Sequence, residues 1–135
     1  MTRVVHEEIK IGTPEVYEAD SPLGRFAVVF EDDGETGYFY ALDHESKDRP
    51  IQDALLIYAV ADVVDRQIPT VLDICWAVDG RKALLLLDQD PHAVFDFDSR
   101  RGYSRLAFPT TQADSAWSKS DHGWDESVMS FFARG

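Results

Sequence analysis

Residues 71–98 read VLDICWAVDGRKALLLLDQDPHAVFDFD, and this stretch decides the fold. Its strand-forming runs are separated by the turn signals Asp79-Gly80 and Asp88-Gln89-Asp90-Pro91, a spacing that predicts antiparallel strands joined by tight turns. The run 83–87 is apolar at every position, so it should form a central strand that is covered on both faces. The middle of the chain is therefore predicted to be an antiparallel meander.

Two further strand regions precede the meander. Residues 25–31 and 38–43 flank the loop 32–37, and two strand-forming runs around an acidic loop that contains glycine predict a β-hairpin. Residues 4–11 alternate loosely between apolar and polar side chains, and Gly12-Thr13-Pro14 follows them. This pattern predicts an outer strand that ends at the glycine.

Helical periodicity is expected in two places. The apolar pattern of residues 50–65 is compatible with either a helix or a strand. We expect a short helical turn that runs into a strand. Near the end of the chain, four large apolar side chains share one helical stripe: Trp124, Val128, Phe131 and Phe132. With Asp121 as cap, they predict a helix that docks on the sheet. The predicted fold class is α+β, an antiparallel β-meander sheet of about six to eight strands with a C-terminal helix packed on one face.

Composition limits the classes of function. A length of 135 residues fits one globular domain, residues 1–135. The formal net charge of −12 opposes binding to nucleic acid or anionic membrane and favours a basic protein partner. The single cysteine, Cys75, allows neither an intrachain disulfide nor a cysteine-based zinc motif. The start of the chain lacks an apolar signal segment, and the apolar run 54–61 is too short to span a membrane, so we expect a cytoplasmic protein.

The strongest candidate for chemistry lies in residues 92–98. Because successive side chains of a strand point to opposite faces, His92, Asp96 and Asp98 should project away from Phe95 and Phe97. An imidazole and two carboxylates can act as acid and base or can bind a divalent metal. The alternative interpretation is the polar, solvated face of an outer strand.

Other residues complete this candidate ligand site. Tyr38 and Tyr40 belong to the predicted hairpin, and Arg101 and Arg105 follow the candidate strand. Arginines clustered in an acidic chain could bind a carboxylate or phosphate, or they could neutralise the neighbouring aspartates.

A third group of residues is a candidate interface. Trp117, His122 and Trp124 lie in a segment rich in aromatic side chains, which are typical of interfaces but also of lids over a small core. Cys75 sits in the middle of a predicted strand, and no motif of nucleophilic catalysis accompanies it. We therefore assign no catalytic residue, no metal and no cofactor.

Three segments together carry a resemblance to a known family. Residues 30–43, residues 92–97 and Arg101-Gly102-Tyr103 resemble a small bacterial family, domain of unknown function 2251. The resemblance covers most of the chain. It implies a bacterial, single-domain, cytoplasmic protein, and it implies no activity, substrate or catalytic residue.

Negative charge, surface-prone aromatic residues and the absence of a reactive motif lead to one main hypothesis. The protein is a non-catalytic binding or interaction domain, immunity-like or accessory, that recognises a protein partner. The alternative is a small-molecule or divalent-metal site, catalytic or not, on the face with His92, Asp96 and Asp98. A homodimer formed through outer strands or sheet faces is a third hypothesis.

Overall fold

The computed structural model describes residues 1–48, 50–106, 123–124 and 126–132. These residues form nine strands: β1 (Thr2–Ile9), β2 (Glu15–Asp20), β3 (Phe26–Asp32), β4 (Thr36–Asp43), β5 (Ile51–Ala59), β6 (Thr70–Trp76), β7 (Lys82–Leu87), β8 (Asp90–Asp96) and β9 (Arg101–Ser104). Two segments, Val60–Asp62 and Glu126–Phe132, are 3₁₀ helices. No helix in the described ranges is long and apolar enough to cross a membrane.

The strands form two antiparallel sheets, one with the order β1-β6-β7-β8-β9 and one with the order β2-β3-β4-β5. The main core lies between the sheets and includes Phe30 and Phe39 from one sheet and Trp76 and Phe95 from the other. The rings of Phe39 and Phe95 stack across the core with centroids 5.1 Å apart. Large aromatic side chains thus fill the space between the two layers.

A second, smaller core covers the outer face of the five-stranded sheet. Leu84 and Val94 are fully buried there, beside Val128 and Phe132 of the last 3₁₀ segment. Because Ala83, Leu85 and Leu87 face the main core instead, β7 is apolar on both sides. The predicted central strand and its two covered faces are confirmed.

The predicted α+β class is wrong. The described residues contain no α-helix, and two sheets replace the single meander sheet. Each sheet carries large apolar side chains on its inward face, and packing the two sheets together buries both inward faces. A single sheet covered by one helix could not bury all of these side chains. Residues 51–59 are a strand and the helical turn follows them, so the predicted order of turn and strand is also wrong.

The predicted C-terminal helix is corrected too. Residues 126–132 adopt 3₁₀ geometry, and Asp121, the predicted cap, lies outside the described residues. So short a segment gains little from helix propensity, and the burial of Val128 and Phe132 on the sheet decides its conformation.

Candidate functional site

The outer face of the four-stranded sheet is the candidate site. Tyr17, Phe30 and Phe39 point into or against the main core, so their neighbours along each strand face outwards. The pairing of Val16 with Glu31 and of Val29 with Tyr40 brings these outward side chains together. We call this surface the tyrosine face; its members are Val16, Glu18, Val29, Glu31, Tyr38, Tyr40, Leu42 and Ile51.

The centre of the tyrosine face is a stacked pair of rings. The centroids of Tyr38 and Tyr40 lie 5.9 Å apart with an angle of 18° between the ring planes. The Tyr40 hydroxyl donates a hydrogen bond of 3.3 Å to Glu31. A shallow groove of about 270 Å³ runs beside the pair, and Val16 at its margin is 60% exposed. The tyrosine face therefore exposes an apolar and aromatic surface to solvent. Stacking and the hydrogen bond to Glu31 hold its two tyrosine rings in place.

The electrostatic field at this face is negative. The strand residues that face outwards include three carboxylates, Glu18, Asp20 and Glu31, and no lysine or arginine. Burial and then the charge of Glu31 raise the pKa of Tyr40 to about 12. A cation brought to this face would be attracted, and an anion would be repelled.

One group of side chains at the edge of this face has the composition of a metal site. Glu18, Asp20 and His44 each place a ligand atom within 4.8 Å of the others, and all three are exposed. The Nε2 atom of His44 lies 3.5 Å from an Asp20 carboxylate oxygen. All three side chains are solvated, and their exposure gives a cation no enclosed coordination shell.

The structure does not bring His92 to the two carboxylates predicted beside it. A register shift in the pairing of β7 with β8 leaves His92 as an extra residue between Pro91 and Ala93, and its ring lines a pocket with Ile57 and Leu87. Four residues along a strand separate His92 from Asp96 by about 13 Å. The orientation of Phe95 and Phe97 into the core is confirmed.

Asp96 and Asp98 have local partners at the other end of β8. Asp96 is buried and accepts hydrogen bonds from the backbone N–H groups of Asp98 and Ser99, at 3.0 and 3.3 Å. Asp98 forms ion pairs with Arg81 and Lys82, at 3.3 and 3.2 Å. These contacts hold the turn between β8 and β9.

The remaining predicted site residues lie in separate places. Tyr38 and Tyr40 belong to the opposite sheet. The guanidinium of Arg101 lies 5.2 Å from the Tyr103 ring, and that of Arg105 lies 4.7 Å from the Trp124 ring. Trp124 packs against the second core, as the lid interpretation expects. Trp117 and His122 lie outside the described residues.

Tyr38 and Tyr40 are predicted site residues, whereas the other members of the tyrosine face are not predicted from the sequence. Residues 38–42 are apolar or aromatic on both parities, so alternation could not decide which set faces the core. Strand β2, which supplies Val16, was not predicted, since three acids interrupt its short run. The available signal was the high strand propensity of Val16 and Tyr17.

Comparisons with known proteins give one family. The family model described as "Uncharacterized protein conserved in bacteria (DUF2251)" matches residues 9–133. A protein of Haemophilus influenzae (strain ATCC 51907 / DSM 11121 / KW20 / Rd), described as "Uncharacterized protein", is 42% identical over 118 residues, which cover 87% of this chain and 73% of that protein. No solved structure matches the chain.

Proposed function

The chain belongs to the DUF2251 family of proteins conserved in bacteria, and we propose that it is a non-catalytic interaction domain whose tyrosine face binds a basic segment of a partner protein. One observation carries this proposal: an apolar sheet face with two stacked tyrosines also presents three carboxylates, Glu18, Asp20 and Glu31, and its four strands contribute no basic side chain. The apolar surface alone does not indicate that the partner is basic, and the carboxylates alone do not indicate that it is a protein.

The apolar half supports a protein partner. Tyrosine is enriched in protein interfaces because its ring supplies contact area at a small entropic cost and its hydroxyl makes a polar contact. Val16 and Ile51 are 60% and 38% exposed at the margins of the face. Clustered exposed apolar residues within a polar rim are typical of interaction surfaces.

The charged half supports a basic partner. Lysine or arginine stems could pack on Tyr38 and Tyr40 while their charged groups reach Glu18 and Glu31, which combines cation–π attraction with ion pairing. A second copy of this chain would place carboxylates opposite carboxylates, so charge opposes a homodimer through this face.

A matched pair of variants tests the proposal. Val16→Lys places a cation on the tyrosine face, and Val78→Lys makes the same chemical change at a site that is 72% exposed in the turn after β6. Both variants carry the same net charge, and both positions tolerate a solvated side chain. Each protein would be used for quantitative cross-linking in a bacterial lysate at low salt, followed by affinity measurement with each purified partner.

The expected result is a basic partner that wild type and Val78→Lys bind with equal affinity. Val16→Lys should bind it at least about tenfold more weakly, because two like charges at an interface lower the affinity by this factor or more. The affinity should fall as salt is added. Equal binding by Val16→Lys, an acidic partner, or self-association as the sole cross-linked product would each overturn the proposal. Thermal unfolding checks that both variants are folded.

A further inference from the structure

A polar cleft opens at one end of the sandwich, away from the tyrosine face. The turns before β3, β5, β7 and β9 meet there and enclose about 440 Å³. Among the residues that the structure describes, the charged lining of this cleft, which we call the arginine cleft, consists of Arg25, Arg81, Arg100, Asp43 and Asp98. Three guanidinium groups thus gather in a chain whose net charge is −12, although Arg25 also lies 3.6 Å from the Glu45 carboxylate beside the cleft.

The floor of the arginine cleft is aromatic and rigid. The ring of Phe26 stacks on Phe97, with centroids 4.5 Å apart, and Phe97 in turn stacks on the buried Trp76 at 5.5 Å. Leu23, which is 58% exposed, stands at the rim. An apolar group that entered the cleft would therefore meet the half-buried Phe26 ring and the Leu23 side chain.

Two of the three arginines are held in place by carboxylates. Arg25 makes a two-pronged contact with Asp43, with both nitrogen–oxygen distances 3.1 Å, and its guanidinium lies 5.0 Å from the centre of the Phe26 ring. Arg81 pairs with Asp98, which Lys82 also contacts. These ion pairs leave N–H groups of fixed orientation along the wall of the cleft.

Arg100 differs from the other two. It makes no ion pair with any residue in the part of the chain that the structure describes, although it lines the same cleft. Its backbone has a φ of +57°, a left-handed conformation that glycine or asparagine adopts at lower energy than arginine. The turn thus carries a long cation where a smaller residue would fit the backbone better.

We propose that the arginine cleft binds a small organic anion that joins a carboxylate or phosphate group to an apolar, planar body. The anionic group lies against Arg100 and Arg81, and the planar body packs against Leu23 and the edge of the Phe26 ring, since Phe97 and Arg25 cover the two faces of that ring. Carboxylate and phosphate share the geometry that a guanidinium recognises with two parallel hydrogen bonds. This site is independent of the tyrosine face and extends the function to a second, small ligand.

The test uses four anions and two variants. Benzoate and phenyl phosphate combine an anionic group with a ring, whereas acetate and inorganic phosphate lack the ring. Each is titrated into ¹⁵N-labelled protein up to concentrations on the order of 10 mM, the range of weak millimolar binding. Arg100→Gln removes the Arg100 charge from the cleft, and Arg66→Gln removes the same charge from an exposed turn outside the cleft.

The proposal expects amide shifts at residues 23–26 and 97–100, tighter binding of the ring-bearing anions, and about tenfold weaker binding by Arg100→Gln, the usual effect of losing one charge-assisted hydrogen bond. Arg66→Gln should bind like wild type. The tighter of benzoate and phenyl phosphate identifies the anionic group. No shifts at the cleft, equal weakening by both variants, or binding of acetate as tight as that of benzoate would overturn the proposal.

Discussion

At the scale of single residues, Asp32 joins three separate parts of the chain: the turn before β2, strand β5 and the turn between β3 and β4. One carboxylate oxygen accepts hydrogen bonds from the Gly12 backbone N–H and the Tyr58 hydroxyl, both at 2.7 Å, and the other accepts from the Gly34 N–H at 2.8 Å. Only 2% of Asp32 is exposed. Burial and this hydrogen bond to Asp32 raise the pKa of Tyr58, so the phenol remains a donor throughout the physiological range.

Asp32→Asn should therefore lower the free energy of unfolding by about 2 kcal/mol, since an amide NH₂ would face at least one buried donor and leave it unsatisfied. Tyr58→Phe removes a single hydrogen bond and should cost about 1 kcal/mol. Asp48→Asn, which makes the same charge change at an exposed position, is the control. Urea unfolding of the three variants measures the differences, and equal stability of Asp32→Asn and Asp48→Asn would contradict this role of Asp32.

At the scale of elements, the last 3₁₀ segment protects the outer face of the five-stranded sheet. Val128 and Phe132 are 2% and 6% exposed, and they share a cluster with the buried Cys75. Phe132→Ala should reduce the free energy of unfolding by about 3 kcal/mol through lost burial and the cavity left behind. It should also speed the reaction of Cys75 with a thiol reagent under native conditions, because the cover over the cluster loosens.

Ser130→Ala alters an exposed position of the same segment and is the matched control. Its unfolding curve and thiol reaction rate should equal those of wild type. Since Cys75 is the single cysteine of the chain, any reaction reports on this face alone. If Cys75 reacted as slowly in Phe132→Ala as in wild type, the last 3₁₀ segment would not be what covers the cluster.

Elements formed by neighbouring parts of the chain were predictable, and those that depend on distant contacts were not. The hairpin around residues 32–37 and the strands on either side of Asp79-Gly80 are confirmed, because turn chemistry and alternation act within a few residues. The pairing of His6 with Asp73, and the division into two sheets, join residues far apart in sequence. For the candidate site, alternation predicted the buried Phe95 correctly but not the register shift beside His92, for which Pro91, a residue without a backbone N–H that occurs at bulges, was the available signal.

At the scale of the whole molecule, an excess of negative charge opposes the compact state. A net charge of −12 on 135 residues produces self-repulsion that salt screens and that acidification towards the pI of about 4.5 removes. The melting temperature at neutral pH should therefore rise when salt is added. At low salt it should also rise between pH 7 and about pH 5, and this second rise should disappear at high salt. A melting temperature independent of salt at neutral pH would contradict the argument.

Below that range the sign reverses, because several carboxylates are stabilised in their ionised form by the fold. Burial alone would raise the pKa of Asp43, but its hydrogen bonds to Arg25 and to the Glu45 backbone outweigh burial and lower it from 3.8. A folded-state pKa below the unfolded value contributes stability above the unfolded pKa, and this contribution is lost as the pH falls through the folded one. The melting temperature should thus drop steeply below pH 3.8. Asp43→Asn should make this drop shallower, whereas Asp62→Asn, at an exposed position, should leave it unchanged. If the melting temperatures of Asp43→Asn and wild type fell identically below pH 3.8, the Arg25–Asp43 ion pair would not be what limits stability in acid.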